Sequence, residues 1–425
     1  MSAERKSLAA SRSQVFLSAW VLYAGYYICR KDISPGSESK ISPLAFSLIS
    51  FGAAYAISQF VGGTLADRFG ARRTALAGAG ISILCTSLLA FHSVSSLELI
   101  LVVGNGLGQG LGWPSILRLL GEWFYRPERD RVLGWWSTSY ILGGVLATSL
   151  TTWLTVHTRV AALSGFYPAY LVSAAVLLAA ALFFYGGTSN LAQSVPANSL
   201  PPDSPARQTE AAAWKEILAN RKIQVVALVY FFLKMTRYTL LFWLPLYLTS
   251  SLGYTQNSAE HFASYFELLG FLGPLAAAYA EQRWFGTRHM VLGSGMLFAL
   301  AFVCLLHPVL AGSGWFGTAV SISLMGILIY GADVLMSAIA VLDAVPSGLH
   351  GRAAGFVNGV GSIGQTLSPF LVTIFVLRFG WTKLFDLFVF VALIAGAVCA
   401  FGAHLQTDQA PPINRSVGES GHNPT

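Results

Sequence analysis

The sequence predicts an all-α membrane protein, with twelve transmembrane helices in two six-helix bundles that form a parallel repeat. Of its 425 residues, 54% are hydrophobic and 11% are charged, and the mean hydropathy is +0.60. A soluble chain could not enclose that much apolar surface, because a single core stops growing at about 250–300 residues. Lipid is therefore the expected solvent for most of the chain, and a lipid bilayer is an expected partner.

Twelve apolar runs are long enough to cross a bilayer as helices, which takes about 20 residues. The first run keeps Tyr26, Tyr27 and Arg30 and lacks a small-residue cleavage site, so we expect a retained helix and not a signal peptide. The predicted spans are residues 14–34, 43–66, 73–92, 97–120, 131–154, 164–186, 223–248, 259–281, 287–307, 316–341, 352–377 and 381–404.

One interruption divides these runs into six and six. Residues 188–222 are rich in serine, proline, alanine and glutamine, a composition typical of linkers. The predicted domains are an N-terminal segment (1–13), a first bundle (14–187), a linker (188–222), a second bundle (223–404) and a polar tail (405–425).

The basic residues predict the orientation in the membrane. Of the 26 lysines and arginines, 17 lie in termini and loops on the N-terminal side, 5 on the opposite side and 4 inside predicted spans. Because cytoplasmic loops carry the excess of basic residues, we expect the N-terminal segment, the linker and the tail in the cytoplasm. The basic residues that give the net charge of +7 are thus accounted for by the orientation of the protein in the membrane. No nucleic-acid partner is expected. Because the C-terminus carries no retention signal, a multi-pass protein of a bacterial inner membrane is expected rather than one of the endoplasmic reticulum. We also expect a monomer.

The two halves also resemble each other in sequence. Tyr23, Tyr27 and Arg30 follow the i, i+4, i+7 spacing of one helix face. The same spacing recurs 207 residues later, at Tyr230, Lys234 and Arg237. Two six-helix halves in parallel repeat are typical of one large class of transporters, whose substrate site lies between the halves at mid-membrane.

A short motif follows the second span and is echoed after the eighth. The stretch from Gly63 to Arg73 carries Asp67 and Arg68, and Glu281 takes the place of the acid 214 residues later. This stretch resembles the cytoplasmic signature of the major facilitator superfamily, although a plain loop on the positive side would have a similar composition. The resemblance implies that Asp67, Arg68 and Glu281 are gating residues, which contact helix ends across the half and help lock one conformation.

Charged side chains inside apolar spans cost at least about 2.5–3.5 kcal/mol each and therefore indicate function. Arg237 has a long apolar run on both sides, and Lys234 lies one turn earlier on the same face. Glu267 and Asp333 each fall in the middle of a span. Arg30 lies nearer the end of its span, so it is either a site residue like its repeat partner or a cation that reaches the membrane surface.

These charges predict an anionic substrate. If Glu267 pairs with Lys234, the two arginines face each other with too little negative charge between them. Guanidinium groups bind phosphate oxygens through pairs of parallel hydrogen bonds, so a doubly charged phosphate would offset Arg30 and Arg237. A sugar, an amine or a drug as substrate is disfavoured.

Several segments resemble the organophosphate:phosphate antiporters, the family of the bacterial glycerol-3-phosphate and hexose-6-phosphate transporters. The segments are Tyr26-Tyr27-Ile-Cys-Arg30-Lys31, the glycine run that ends in Gly112-Trp113-Pro114, and Arg237-Tyr238. The resemblance implies a phosphate clamp of Arg30 and Arg237, one from each half, with Tyr27 nearby. The further candidate substrate-binding residues are Tyr23 and Lys31 in the first span, Lys234 in the seventh and Glu267 in the eighth. Each tyrosine could equally be a packing aromatic.

Two more candidates depart from the family pattern. Gln59 stands where the glycerol-3-phosphate transporter has a lysine, and Tyr140 replaces a histidine in the fifth span. Both are candidate substrate-binding residues, and both leave the exact substrate open. The stretch Ser137-Thr138-Ser139 is closer to glucose-6-phosphate transporters. The resemblance therefore favours hexose 6-phosphate, above all glucose 6-phosphate, with glycerol 3-phosphate as the alternative.

The resemblance implies exchange of a sugar phosphate for inorganic phosphate by alternating access. Because unpaired positive charge would oppose closure of an empty site, we expect the carrier to cross only when loaded. Two alternatives stay open. One is a membrane sensor for sugar phosphate, a kind of protein that the family also contains, and the other is a proton-coupled symporter that uses Glu267 or Asp333.

Enzymatic chemistry is not expected. The segment Gly359-Val-Gly361-Ser-Ile-Gly364 spells the dinucleotide fingerprint, but inside an apolar span and without a preceding strand. The sequence contains no GxxxxGK(S/T) motif of an ATP-driven pump, no metal-ligand spacing and no evident nucleophile–base pair. We therefore expect no cofactor and no metal.

Overall fold

The computed structural model describes residues 3–31, 41–91, 95–125, 128–157, 168–188 and 209–407, and within these residues the chain is helical and has no strand. The helices are α1 (Ala3–Lys31), α2 (Ile41–Phe69), α3 (Ala71–Leu89), α4 (Ser95–Gly110), α5 (Gly112–Trp123), α6 (Glu128–His157), α7 (Pro168–Gly187), α8 (Glu210–Ala219), α9 (Arg221–Leu252), α10 (Gln256–Gly270), α11 (Leu272–Ala280), α12 (His289–Gly312), α13 (Trp315–Val334), α14 (Ala340–Ala344), α15 (His350–Phe379) and α16 (Leu384–Thr407).

Every predicted span overlaps one helix or two consecutive helices, which confirms the all-α fold. The fourth span is divided between α4 and α5, because Pro114 lacks the N–H that would bond to the carbonyl of Gly110. Pro274 has the same effect on Gly270, where α10 ends and α11 follows. A π-helical turn, Leu335–Ile339, connects α13 to α14. Judged by length and composition alone, six of the described helical segments could cross a membrane, five of them in the second half.

The ends of the predicted domains are more helical than their composition suggests. Helix α1 begins at Ala3, within the predicted N-terminal segment, and α16 extends to Thr407. Helix α8 lies inside the predicted linker, where Thr209 caps its first turn by accepting a hydrogen bond from the Ala212 N–H. Residues 189–208 of the linker and 408–425 of the tail lie outside the described residues.

Helices of each half pack mainly with one another. In the first half, α1 contacts α6 and α7, and α4 contacts α2 and α3. In the second half, α9 contacts α15 and α16, α12 contacts α13 and α16, and α13 contacts α10 and α11. The halves meet where α15 lies against α2 and α5, and where α6 lies against α10 and α11.

The contact between α2 and α15 is close because glycines line it. A Cβ atom on Gly63 would collide with the carbonyl oxygen of Gly351, and one on Gly355 would collide with the carbonyl oxygen of Gln59. A Cβ on Gly359 would lie 2.6 Å from the ring of Phe60. The small residues therefore allow the two backbones to touch across the boundary between the halves.

Candidate substrate-binding site

Three basic side chains, one from the first half and two from the second, lie among the same tyrosine rings. Arg30 of α1 is partly buried, whereas Lys234 and Arg237 of α9 are only 2% and 4% exposed. The Tyr55 ring lies 4.5 Å from Arg30 Cζ and 5.2 Å from Lys234 Nζ. The Tyr238 hydroxyl accepts a hydrogen bond from Arg30 Nη1 at 3.4 Å, and its ring lies 5.4 Å from Arg237 Cζ. The structure thus places the repeat partners Arg30 and Arg237 together between the halves.

Arg237 has a carboxylate partner. Its Nη1 donates a hydrogen bond to Asp333 Oδ1 at 3.0 Å, and the hydroxyl of Tyr140 donates to Asp333 Oδ2 at 2.7 Å. The rings of Tyr140 and Tyr330 lie 4.7 Å and 4.5 Å from Arg237 Cζ. The expectation that both arginines would be short of negative partners is therefore wrong for Arg237, because Asp333 on α13 reaches it.

Arg30 is held by neutral groups. Its Nε donates to Gln109 Oε1 at 2.9 Å, and its guanidinium lies 4.4 Å from the centre of the Tyr27 ring. Among the described residues, no carboxylate forms an ion pair with it. The Arg30 side chain therefore lies against residues of both halves, as the site interpretation expects, and does not extend away from them.

Lys234 is likewise bound by neutral oxygens. Its Nζ donates to Asn358 Oδ1 and to Ser362 Oγ, both at 2.7 Å. The expected ion pair with Glu267 is not formed, because Lys234 faces α15 while the partly exposed Glu267 of α10 lies on the Tyr330 side of the site. The positive charge of Lys234 is thus hydrogen-bonded without being neutralised by those two partners.

The remaining candidate residues have different surroundings. Tyr27 stacks under Arg30, whereas Tyr23 is enclosed by the rings of Trp113 and Trp136, with centroids 5.5 Å and 5.0 Å away, as a packing aromatic would be. Gln59 is fully buried one turn from Tyr55, and neither polar atom of its side chain has a hydrogen-bond partner among the described residues. Lys31 ends α1, and its side chain lies outside the part of the chain that the structure describes.

Asp67 connects the two halves at one end of the molecule. Its Oδ1 accepts hydrogen bonds from Arg118 Nη1 and from the N–H of Gly351, both at 3.0 Å. Its Oδ2 accepts from the N–H of Arg352 at 2.9 Å and from Arg352 Nη1 at 3.0 Å. A carboxylate is favourable there because the first turn of α15 presents unpaired N–H groups and the positive end of the helix dipole.

Arg68 does not join this contact. It forms an exposed ion pair of 2.8 Å with Glu210 at the start of α8. Arg68 therefore contacts the start of a linker helix and not the start of α15, since its side chain turns outward while that of Asp67 turns inward. Ion pairs this exposed contribute about 0–1 kcal/mol.

Glu281 belongs to a second polar cluster at the same end. Glu281 Oε1 lies 2.5 Å from His289 Nδ1, and His289 Nε2 lies 2.5 Å from Asp343 Oδ2. Asp343 also forms an ion pair with Arg129 of the first half. Sequence reasoning identified Glu281 through its repeat partner but missed the other three. An acid, a histidine and an arginine just outside apolar runs were the available signal, yet such residues are common at helix ends.

Comparisons with known proteins show what the chain is similar to. The Major Facilitator Superfamily model matches residues 14–332 and 226–423. A glycerol-3-phosphate transporter of Bacillus subtilis is 27% identical over 416 residues, with 90% of each chain covered. Sugar phosphate exchanger 3 of Homo sapiens is 24% identical over 379 residues, covering 79% of this chain and 74% of the exchanger. These relatives confirm the resemblance to organophosphate:phosphate antiporters.

A solved structure supports the same fold. The transporter FucP in its outward conformation superposes with a TM-score of 0.71 at 15% identity, over 93% of this chain and 99% of that chain. At that identity the likeness concerns the fold alone. With the family match over most of its length and its apolar helices, this chain is a multi-pass membrane protein that belongs to the Major Facilitator Superfamily.

Proposed function

We propose that the chain is a secondary transporter that exchanges a sugar phosphate, hexose 6-phosphate first, for inorganic phosphate by alternating access. The observation that carries the proposal is the meeting of Arg30 and Arg237, one from each half, in a single tyrosine-lined site. A ligand that binds both arginines draws the halves together, which is the coupling that alternating access requires.

The charges favour a dianion. Arg30, Lys234 and Arg237 contribute three positive charges, and Asp333 offsets one of them. Arg237 also keeps donors for a ligand, since its Nε has no hydrogen-bond partner among the described residues. A phosphate group fits this arrangement because its oxygens accept several charge-assisted hydrogen bonds at once.

Exchange, as opposed to one-way transport, follows from the same charges. Removing uncompensated cations from water costs several kcal/mol per ion. An empty site should therefore close poorly, and a site that holds a phosphate should close readily. The contacts of Asp67 and Arg129 with the second half support a role for that end of the molecule as a gate, and the positive-inside rule assigns it to the cytoplasm.

Transport into vesicles tests the proposal directly. Monomeric protein reconstituted into vesicles loaded with inorganic phosphate should take up labelled phosphate and labelled glucose 6-phosphate, while phosphate-free vesicles should take up far less. The matched control is the double variant Arg30→Gln/Arg237→Gln, which should show no flux. Binding of sugar phosphate without any flux would contradict transport and would favour a sensor.

Two further arms of the experiment define the substrate and the coupling. Competition by glucose 6-phosphate should exceed competition by glycerol 3-phosphate, and the reverse order would replace the first choice of sugar by the substrate of the B. subtilis relative. Collapsing the pH gradient should leave phosphate exchange unchanged. A strong dependence on the gradient would instead support proton coupling through Glu267 or Asp333.

A further inference from the structure

Asp333 is a buried acid within the group of basic residues. Its side chain has no exposed surface, and each carboxylate oxygen has one partner in the described structure, Arg237 for Oδ1 and Tyr140 for Oδ2. Two further site residues, Lys234 and Tyr230, are close enough to interact with it electrostatically. The carboxylate therefore occupies a position beside the proposed phosphate clamp.

The bond between Asp333 and Arg237 uses only part of the guanidinium. An arginine and a carboxylate bind most strongly through two parallel hydrogen bonds, but here only Nη1 of Arg237 donates to Asp333. Nε of Arg237 has no partner among the described residues. Asp333 thus orients Arg237 without using all of its hydrogen-bond donors. This is expected if a second anion binds the same guanidinium beside Asp333 or displaces it.

Asp333 also connects the two halves through the centre of the molecule. Tyr140 belongs to α6 of the first half, whereas Asp333 and Arg237 belong to α13 and α9 of the second. This chain of two hydrogen bonds joins the halves through Arg237, the same guanidinium that a phosphate between Arg30 and Arg237 would bind. It offsets one of the three positive charges that oppose closure.

We propose that Asp333 is an internal counter-ion that competes with the phosphate of the substrate for Arg237. This role rests on the proposed function of the site and adds a residue that sets affinity. Asp333 weakens phosphate binding enough for release, and it makes reorientation of the empty carrier less unfavourable. A residue that merely supported the fold, or that bound the sugar, would do neither.

The variant Asp333→Asn removes the charge and keeps the shape. Purified Asp333→Asn protein should bind inorganic phosphate about tenfold more tightly in a calorimetric titration, because a close charge pair at a binding site is commonly worth at least that factor. Reconstituted in vesicles, the variant should exchange phosphate more slowly at saturation, and uptake into phosphate-free vesicles should fall further than uptake into loaded ones. The matched control is Asp386→Asn, which removes an exposed acid paired with Lys383 and should behave as wild type.

The outcomes separate this inference from the proposed function. If wild-type protein binds neither phosphate nor glucose 6-phosphate, the proposed function fails. If wild type binds phosphate and Asp333→Asn binds it equally or more weakly, the counter-ion role is overturned. Should Asp333→Asn not be folded in chloride buffer, phosphate at the same ionic strength should restore folded protein by replacing the missing anion. Equal recovery in both buffers, or in neither, would also overturn the role.

Discussion

At the scale of single residues, the two arginines of the site are held in different ways. Arg237 is oriented by Asp333 and lies against the rings of Tyr140 and Tyr330, whereas the partners of Arg30 among the described residues are neutral. Both arrangements fix the plane of the guanidinium, which is what bidentate binding of a phosphate needs. Charge without that planar shape should not suffice.

We therefore expect Arg237→Lys to lose most transport although it keeps the positive charge. An ammonium group cannot offer two parallel donors to a phosphate, and it cannot stack on the tyrosine rings in the same way. Initial rates of phosphate exchange in loaded vesicles should fall at least about tenfold, the loss expected when an interaction of about 1.4 kcal/mol is removed. Arg378→Lys is the matched control, since Arg378 is exposed at the end of α15. Near-normal exchange by Arg237→Lys would contradict the bidentate role.

The cations of the site could be predicted from the sequence, but their partners could not. Arg237 and Lys234 interrupt a long apolar run, and such an interruption is visible in one dimension. Asn358 lies 124 residues from Lys234, and a neutral polar residue in an apolar helix carries no comparable signal. The assumed ion pair between Lys234 and Glu267 is not formed. It was inferred from opposite charge, but the directions of α9, α10 and α15 decide which side chains meet.

At the scale of helices, the spans are predictable because an apolar run of bilayer length must satisfy its backbone hydrogen bonds within the segment, which favours a helix. Interruptions within a span were not predicted. The fourth span was predicted as continuous over 97–120, and Pro114 divides it. Helix α8 was missed because a capped ten-residue helix with only two buried residues, Ala213 and Ile217, resembles a linker in composition.

The close approach of α2 and α15 leads to a prediction for Gly355→Ala. The added methyl group would collide with the carbonyl oxygen of Gln59, a backbone atom that cannot turn away. The helices must then separate, which should weaken the contact between the halves at the Asp67 end. We expect slower exchange and increased reactivity of a cysteine introduced at Thr64 toward a membrane-impermeant reagent added from that side. Gly295→Ala is the matched control, because no atom lies within 4 Å of the added Cβ. Equal effects of the two variants would contradict the argument.

At the scale of the whole molecule, the described polar contacts that join the halves at this end include one at Asp67 and one in the Glu281 cluster, and the repeat relates them only in part. Asp67 reaches the first turn of α15 directly. Its repeat partner Glu281 instead contacts His289, which contacts Asp343, and Asp343 forms the ion pair with Arg129 of the first half. The first contact bonds a carboxylate to backbone N–H groups, whereas the second crosses through the Arg129–Asp343 ion pair and an exposed hydrogen bond of 3.0 Å from Arg131 Nη2 to Gln282 Oε1. The second contact should therefore be the one that a single substitution disrupts most easily.

We expect Arg129→Gln to open this end of the carrier. The side chains of Arg129 and Asp343 are only 10% and 12% exposed, and removing one partner of a buried pair costs up to about 3–5 kcal/mol. Even 1.4 kcal/mol would change the ratio of closed to open carriers tenfold. Spin labels at Arg73 and Arg283, which are exposed in opposite halves at this end, should report a shift toward longer distances. Arg12→Gln, which breaks the Glu128 pair within the first half, should leave the distances unchanged. If Arg129→Gln also leaves them unchanged, the ion pair does not hold the gate, and Asp67 with the first turn of α15 must hold that end closed without it.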